Sequence, residues 1–252
     1  MSDRTVYVTN QPQTVVPPVA FVERQPEPVT PSIHPDLIPE SENSSAIARQ
    51  ARRELGAARD ALERVAEFEA AVANDPTITD DARALAIYDA RQKATNRATD
   101  VLAKLGQATH NAVASAEKAL AEAARPKTRA HDAEIRAHVK SMSEAKRATF
   151  LQERATVGDV QAIEAILGEG IPDFLSGLDK IVSEDAARDL RERAAAVHAP
   201  QLAEALAEAR RVHGRAVAAW QAGMGLIPKR DDRIEALRAR ATKRRTAAER
   251  LA

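Results

Sequence analysis

The chain has 252 residues, 37 basic against 37 acidic side chains, and no cysteine, which excludes a disulfide framework, a thiolate metal site and a cysteine nucleophile. A 44% hydrophobic and 29% charged composition permits a core in one or two domains. Much of the apolar content is alanine and aromatics are only 3%, so stability is expected from long helices packed closely side by side rather than from one thick centre.

Charge is unevenly spread. Residues 1–43 hold six acidic and two basic side chains, a net of −4, whereas residues 229–252 hold nine basic and four acidic ones, a net of +5. Ends of opposite sign point to contact between neighbouring copies or to separate partners. Met1 is followed by no apolar run of signal-peptide type, and no stretch reaches the ~18 consecutive apolar residues of a membrane span. The expectation is a soluble protein that acts where it is made, in the cytoplasm or in a virion, with no membrane partner.

Residues 1–43 contain eight of the chain's 13 prolines, which exclude helix and favour extended backbone. Between them lie Val6, Tyr7, Val8, Val15, Val16, Val19, Phe21, Val22 and Ile33. Two readings stay open: a solvated tail, or an extended arm that lays Val15, Val16, Val19, Phe21 and Val22 into pockets of a partner.

Residues 44–126 read as a long helical hairpin. Ser44 and Ser45 offer a helix start, and Ala51, Leu55, Ala58, Leu62, Val65, Phe68 and Val72 recur at three- and four-residue spacings, a seam suited to one long neighbour. Asn74-Asp75-Pro76 ends this helix, and Thr79 or Asp80 can cap the next. From Thr79 to Arg125 the chain is alanine-rich and interrupted only by Gly106; as one helix it would measure about 65–70 Å. Residues 127–228 read as a helical bundle: a third helix over about 127–156, a short hydrophobic helix near 159–168, a helix capped at Ser183, and Pro200 as either a kink or a helix start. The region 157–182 is the most hydrophobic and is expected to form a local core. Residues 229–252 read as a basic C-terminal helix with Ile234, Leu237, Ala241, Ala248 and Leu251 along one side. The fold class expected is therefore all-α: an elongated, coiled-coil-like bundle of antiparallel helical hairpins with an extended proline-rich arm.

Chemistry is sparse. His131, Glu134 and His138 share a helical face, but the Glu-x-x-His spacing of di-iron bundles occurs nowhere, and solvated side chains are the simpler reading. No Gly-x-Ser-x-Gly elbow or Gly-Lys-Ser/Thr phosphate loop is present. The sequence thus predicts no enzyme, no cofactor and no metal. Arg238, Arg240, Lys243, Arg244 and Arg245 are candidates for contact with phosphates or with an acidic protein surface. Trp220, the only tryptophan, is either a core anchor or a partner-binding residue.

In its organisation, a proline-and-valine arm followed by long alanine-rich helices, the chain resembles virion-assembly and scaffold-type proteins of tailed bacteriophages. The likeness runs along the whole chain, and no motif carries site residues across. It implies a non-enzymatic structural protein, a homo-oligomer whose partners are protein subunits of a larger assembly. The alternative is a helical adaptor or regulator that touches nucleic acid through its C-terminal helix, nucleic acid being the less favoured partner.

Overall fold

The computed structural model describes residues 33–39, 45–126, 128–168, 171 and 182–249. The described residues form a 3₁₀ turn (Pro35–Leu37) and eight α-helices, with no strand among them. In chain order the helices are α1 (Ala46–Ala73), α2 (Asp80–Ala123), α3 (Asp132–Ser141), α4 (Glu144–Thr156), α5 (Val160–Leu167), α6 (Glu184–His198), α7 (Pro200–Gly225) and α8 (Asp232–Glu249).

Helices α1, α2 and α7 lie antiparallel in sequence of contact, with α2 between the other two. Ser45 caps α1, its Oγ accepting from the Ala48 amide at 3.3 Å. Thr79 does the same for α2, at 3.4 Å from the Ala82 amide, and Asp80 and Asp81 place negative charge at that positive helix end. Between the two helices Arg83 donates to the carbonyls of Val72 (3.1 Å), Asp75 (3.0 Å) and Ile78 (3.3 Å). One side chain thereby satisfies acceptors that the end of α1 and the following loop leave open.

The hydrophobic seam is narrow, as an alanine-rich sequence requires. Ala48, Ala51, Leu55 and Ala58 of α1 meet Ala98, Leu102 and Leu105 of α2 and Val212, Ala216 and Ala219 of α7. Small residues let the backbones approach: a Cβ added at Gly223 of α7 would lie 3.0 Å from Leu102 Cδ1. Thr95, Thr99 and Thr109 are also buried in α2, and the hydroxyls of Thr99 and Thr109 donate to carbonyls one turn back, so neither is left unpaired.

The segment expected to be wholly extended arm is partly folded. Ile33 and Ile38 flank the 3₁₀ turn, are 0% and 3% exposed, and belong to the same core as α1. Arg52 of α1 donates to the Ile38 carbonyl at 3.0 Å and pairs with Asp36 at 3.2 Å. Proline at the first position of a 3₁₀ turn lacks only an amide that would have no partner there, so Pro35 starts this turn instead of preventing it.

The single third helix expected over 127–156 is two. Met142, with φ −79° and ψ 157°, is extended and separates α3 from α4, and Arg147 of α4 donates to the carbonyls of Val139 (3.1 Å) and Lys140 (2.9 Å) at the end of α3. The short apolar helix α5 sits at the middle of a second core, where Ile163 and Ile166 meet Val139, Leu151, Ala155, Leu190 and Ala194. Pro200 starts α7 at its first turn rather than kinking a longer helix. A third cluster, Leu120 and Ala124 with Ala195 and Leu206, joins the two cores along α2, α6 and α7. No helix among the described residues is long and apolar enough to cross a membrane.

Candidate interaction surfaces

Helix α8 begins as a packed element and ends as a bare one. Asp231 Oδ1 accepts from the Arg233 and Ile234 amides at 2.9 and 3.4 Å, and Ile234 and Leu237 are buried. Arg238 pairs with Asp89 of α2 and lies 5.1 Å over the Tyr88 ring. Its guanidinium pKa is raised, first by the hydrogen bond to Asp89, and the side chain stays charged. Beyond this anchor every described side chain from Ala239 to Thr246 is exposed.

The five basic candidates therefore divide. Arg238 is taken up by Asp89, and Arg245 pairs with Glu249 at 2.9 Å. Arg240, Lys243 and Arg244 have no ion-pair or hydrogen-bond partner among the described residues. Ala241 is exposed rather than part of an apolar side, and the side chains of Ala248 and Leu251 lie outside the described residues.

Trp220 is 38% exposed, and Met224, one turn on, is 46% exposed. Both lie on α7, whose inner face is occupied by Ala216, Ala219 and Gly223. The Met224 partner to Trp220 was open to sequence reasoning through its four-residue spacing but carries no motif. Phe68, expected in the α1 seam, is 41% exposed, and the adjacent Glu69 is the side chain that meets α2 there, through Arg91. Val15, Val16, Val19, Phe21 and Val22 lie outside the described residues.

Polar clusters elsewhere have structural partners. His131 Nδ1 is 3.0 Å from Glu134 on an exposed face, while His138 packs edge-on against Phe150, so the three candidates do not converge. His213 Nδ1 is 3.0 Å from Thr109 Oγ1, and its ring is 5.8 Å from that of His110. Among the described residues no group of three histidine or carboxylate side chains is placed to hold a metal. A cleft of about 690 Å³ is open and lies between the 3₁₀ turn and α7, with Glu204, Glu208, Arg211 and Arg215 along one wall.

No family model, no curated protein and no solved structure matches the chain.

Proposed function

We propose that the chain is a non-enzymatic structural protein of a multi-subunit particle, of the virion-component or scaffold type found in tailed bacteriophages. The observation that supports this most directly is the outer half of α8, which makes no intramolecular packing contact through a buried side chain from Ala239 to Thr246. A helix gains most of its stability from a packed face, and a surface outside the chain is the natural source of one here. Trp220 and Met224 add an exposed apolar pair of the kind that anchors protein interfaces. The elongated, coiled-coil-like form belongs to the same reading: α2, with 44 residues, spans about 66 Å at 1.5 Å per residue, the reach of a spacer. Residues 1–32 complete it as an arm that seats Val15, Val16, Val19, Phe21 and Val22 on a neighbour.

The test is recovery from the native source. Tagged full-length protein is expected to co-purify with other subunits in fixed stoichiometry; recovery of the chain free of any subunit overturns the reading. Deleting residues 2–32 is expected to leave the circular dichroism spectrum helical and to abolish incorporation. Normal incorporation of that variant removes the arm from the proposal.

A second reading has one observation in its favour. Arg240, Lys243 and Arg244 are unpaired among the described residues, and three such cations on a projecting helix suit phosphates. Duplex DNA binding through them would fall with salt at a log–log slope of about −2.7. Fluorescence anisotropy across a salt series measures that slope directly.

A further inference from the structure

We infer that the surface which receives the outer half of α8 is the acidic end of the α1–α2 hairpin of a second copy of this chain. The inference deepens the assembly reading by naming the first neighbour, and rests on it only in taking the partner to be protein.

The two segments complement one another in charge. Residues 60–89, the far half of α1 with the start of α2, carry eight acidic and two basic side chains, a net of −6. The C-terminal segment 229–252 carries +5, so one segment nearly neutralises the other. Part of that neutralisation is already made within one copy. Arg238 holds Asp89 across the two segments, and within the hairpin Arg83 holds Asp80 and Arg91 holds Glu69. Asp60, Glu67 and Asp81 are exposed and have no ion-pair partner among the described residues. They match, in another copy, the unpaired Arg240, Lys243 and Arg244.

Spacing agrees with sign. Asp60 and Glu67 lie seven residues apart on one stripe of α1, with Arg64 between them, and Arg240 and Arg244 lie four apart on one stripe of the outer half of α8. The two cations span about 6 Å and the two carboxylates about 10.5 Å along their helices, so two helices laid side by side bring opposite charges together over the same two turns. The half-exposed Phe68 adjoins Glu67 and supplies the apolar contact that the outer half of α8 lacks in its own chain.

The Arg238–Asp89 anchor explains why the contact is made between copies. It fixes the root of α8 on its own α2, while the helix beyond the anchor lies off the surface with every described side chain in water. Reciprocal exchange of the two outer halves closes a two-fold dimer in which each copy gives one basic helix and receives another.

Sedimentation equilibrium of the full chain at about 100 μM in low salt is the experiment. A species of about twice 27.2 kDa is expected, dissociating as salt rises. The triple variant R240E/K243E/R244E and the double variant D60K/E67K are each expected to weaken association about tenfold or more. An equimolar mixture of the two is expected to regain a dimer, since each then carries the charge the other lost. A monomeric wild-type chain overturns the inference, and so does a dimer indifferent to both reversals. Duplex DNA binding by a monomer, lost in R240E/K243E/R244E, overturns it in favour of nucleic acid. None of these outcomes bears on incorporation of the chain into a native particle, which is measured separately.

Discussion

The guanidinium of Arg210 meets the carboxylate of Glu192 with two parallel hydrogen bonds, Nη1 at 2.6 Å from one oxygen and Nη2 at 2.5 Å from the other. Nη2 also donates to Glu117 at 2.7 Å. Arg210 is on α7, Glu192 on α6 and Glu117 on α2, so one side chain ties the second core to the long bundle. The hydrogen bonds to Glu192, then to Glu117, raise the guanidinium pKa further above its already high value, and the tie holds at any pH at which the carboxylates are ionised.

Arg210→Lys keeps the charge and loses the fork. Because the Arg210 side chain is 39% exposed, solvent screening limits the cost to about 0.5–1 kcal/mol. Urea unfolding is expected to show that loss at low salt and a smaller one near 1 M salt. Equal losses at both salts would assign the effect to packing of the stem instead.

Gly158 is the next test, and its demand is conformational. Its φ is +77°, and a Cβ there would stand 2.8 Å from Val197. Its carbonyl accepts from His198 Nε2 at 2.6 Å, which holds the α4–α5 turn on the end of α6. Gly158→Ala is expected to destabilise by about 1–3 kcal/mol. Adding Val197→Ala removes the Cγ1 contact but leaves the Cβ contact and the backbone strain, so the double variant is expected to recover part of the loss and not all of it. Thermal melts of the two single variants and the double variant measure the coupling.

Asp75 gives a prediction about pH. Its Oδ1 accepts from the Thr77 hydroxyl at 2.6 Å and from the Thr77 amide at 2.8 Å, and these bonds hold its pKa below the ordinary 3.8. A carboxylate with a depressed folded pKa contributes stability above its unfolded pKa, and that contribution disappears as pH falls through the folded one. Carbon-detected NMR titration is expected to place the Asp75 midpoint below 3.8, and Thr77→Val is expected to raise it. An unmoved midpoint in the variant would shift the cause to the amide of residue 77, which valine keeps, and then to Arg83.

The ordered stretch before α1 separates two truncations that the sequence treats alike. Removing residues 2–32 leaves Ile33 and Ile38 in the core, whereas removing 2–39 takes both away. Full burial of an isoleucine is worth about 1.5–3 kcal/mol, so the longer deletion is expected to be about 3–6 kcal/mol less stable by urea unfolding. Comparable stabilities would show that the pair adds little to the core.

These cases show what local pattern reveals and where it stops. Ser45, Thr79, Ser183 and Pro200 mark helix starts in the sequence because capping is a matter between near neighbours. The α1 seam is legible through Leu55 and Ala58, and fails at Phe68, since a three- or four-residue spacing from Val65 admits Glu69 equally, and Glu69 is the one that meets Arg91 of α2. The break at Met142 depends on Arg147 reaching carbonyls seven and eight residues earlier, a contact that spacing alone does not announce. Burial of Ile33 was hidden by the prolines around it. At α8 the excess of positive charge is plain in the sequence. Which cations remain unpaired is not, because Asp89, the partner of Arg238, lies 149 residues away.

The length of α2 has a mechanical consequence. Its middle, from Ala98 to Leu105, is packed against α1 and α7, and its last turns, from Val113 to Leu120, against Leu202, Leu206 and Ala195. Gly106, past its midpoint, has room for an added Cβ and does not interrupt the helix. The two cores are therefore geared to a common shaft. Neither can rotate about the long axis without turning the other or unwinding hydrogen bonds, and each inserted residue would change their phase by about 100°. A particle built on this chain would receive its two ends at a set azimuth as well as a set distance.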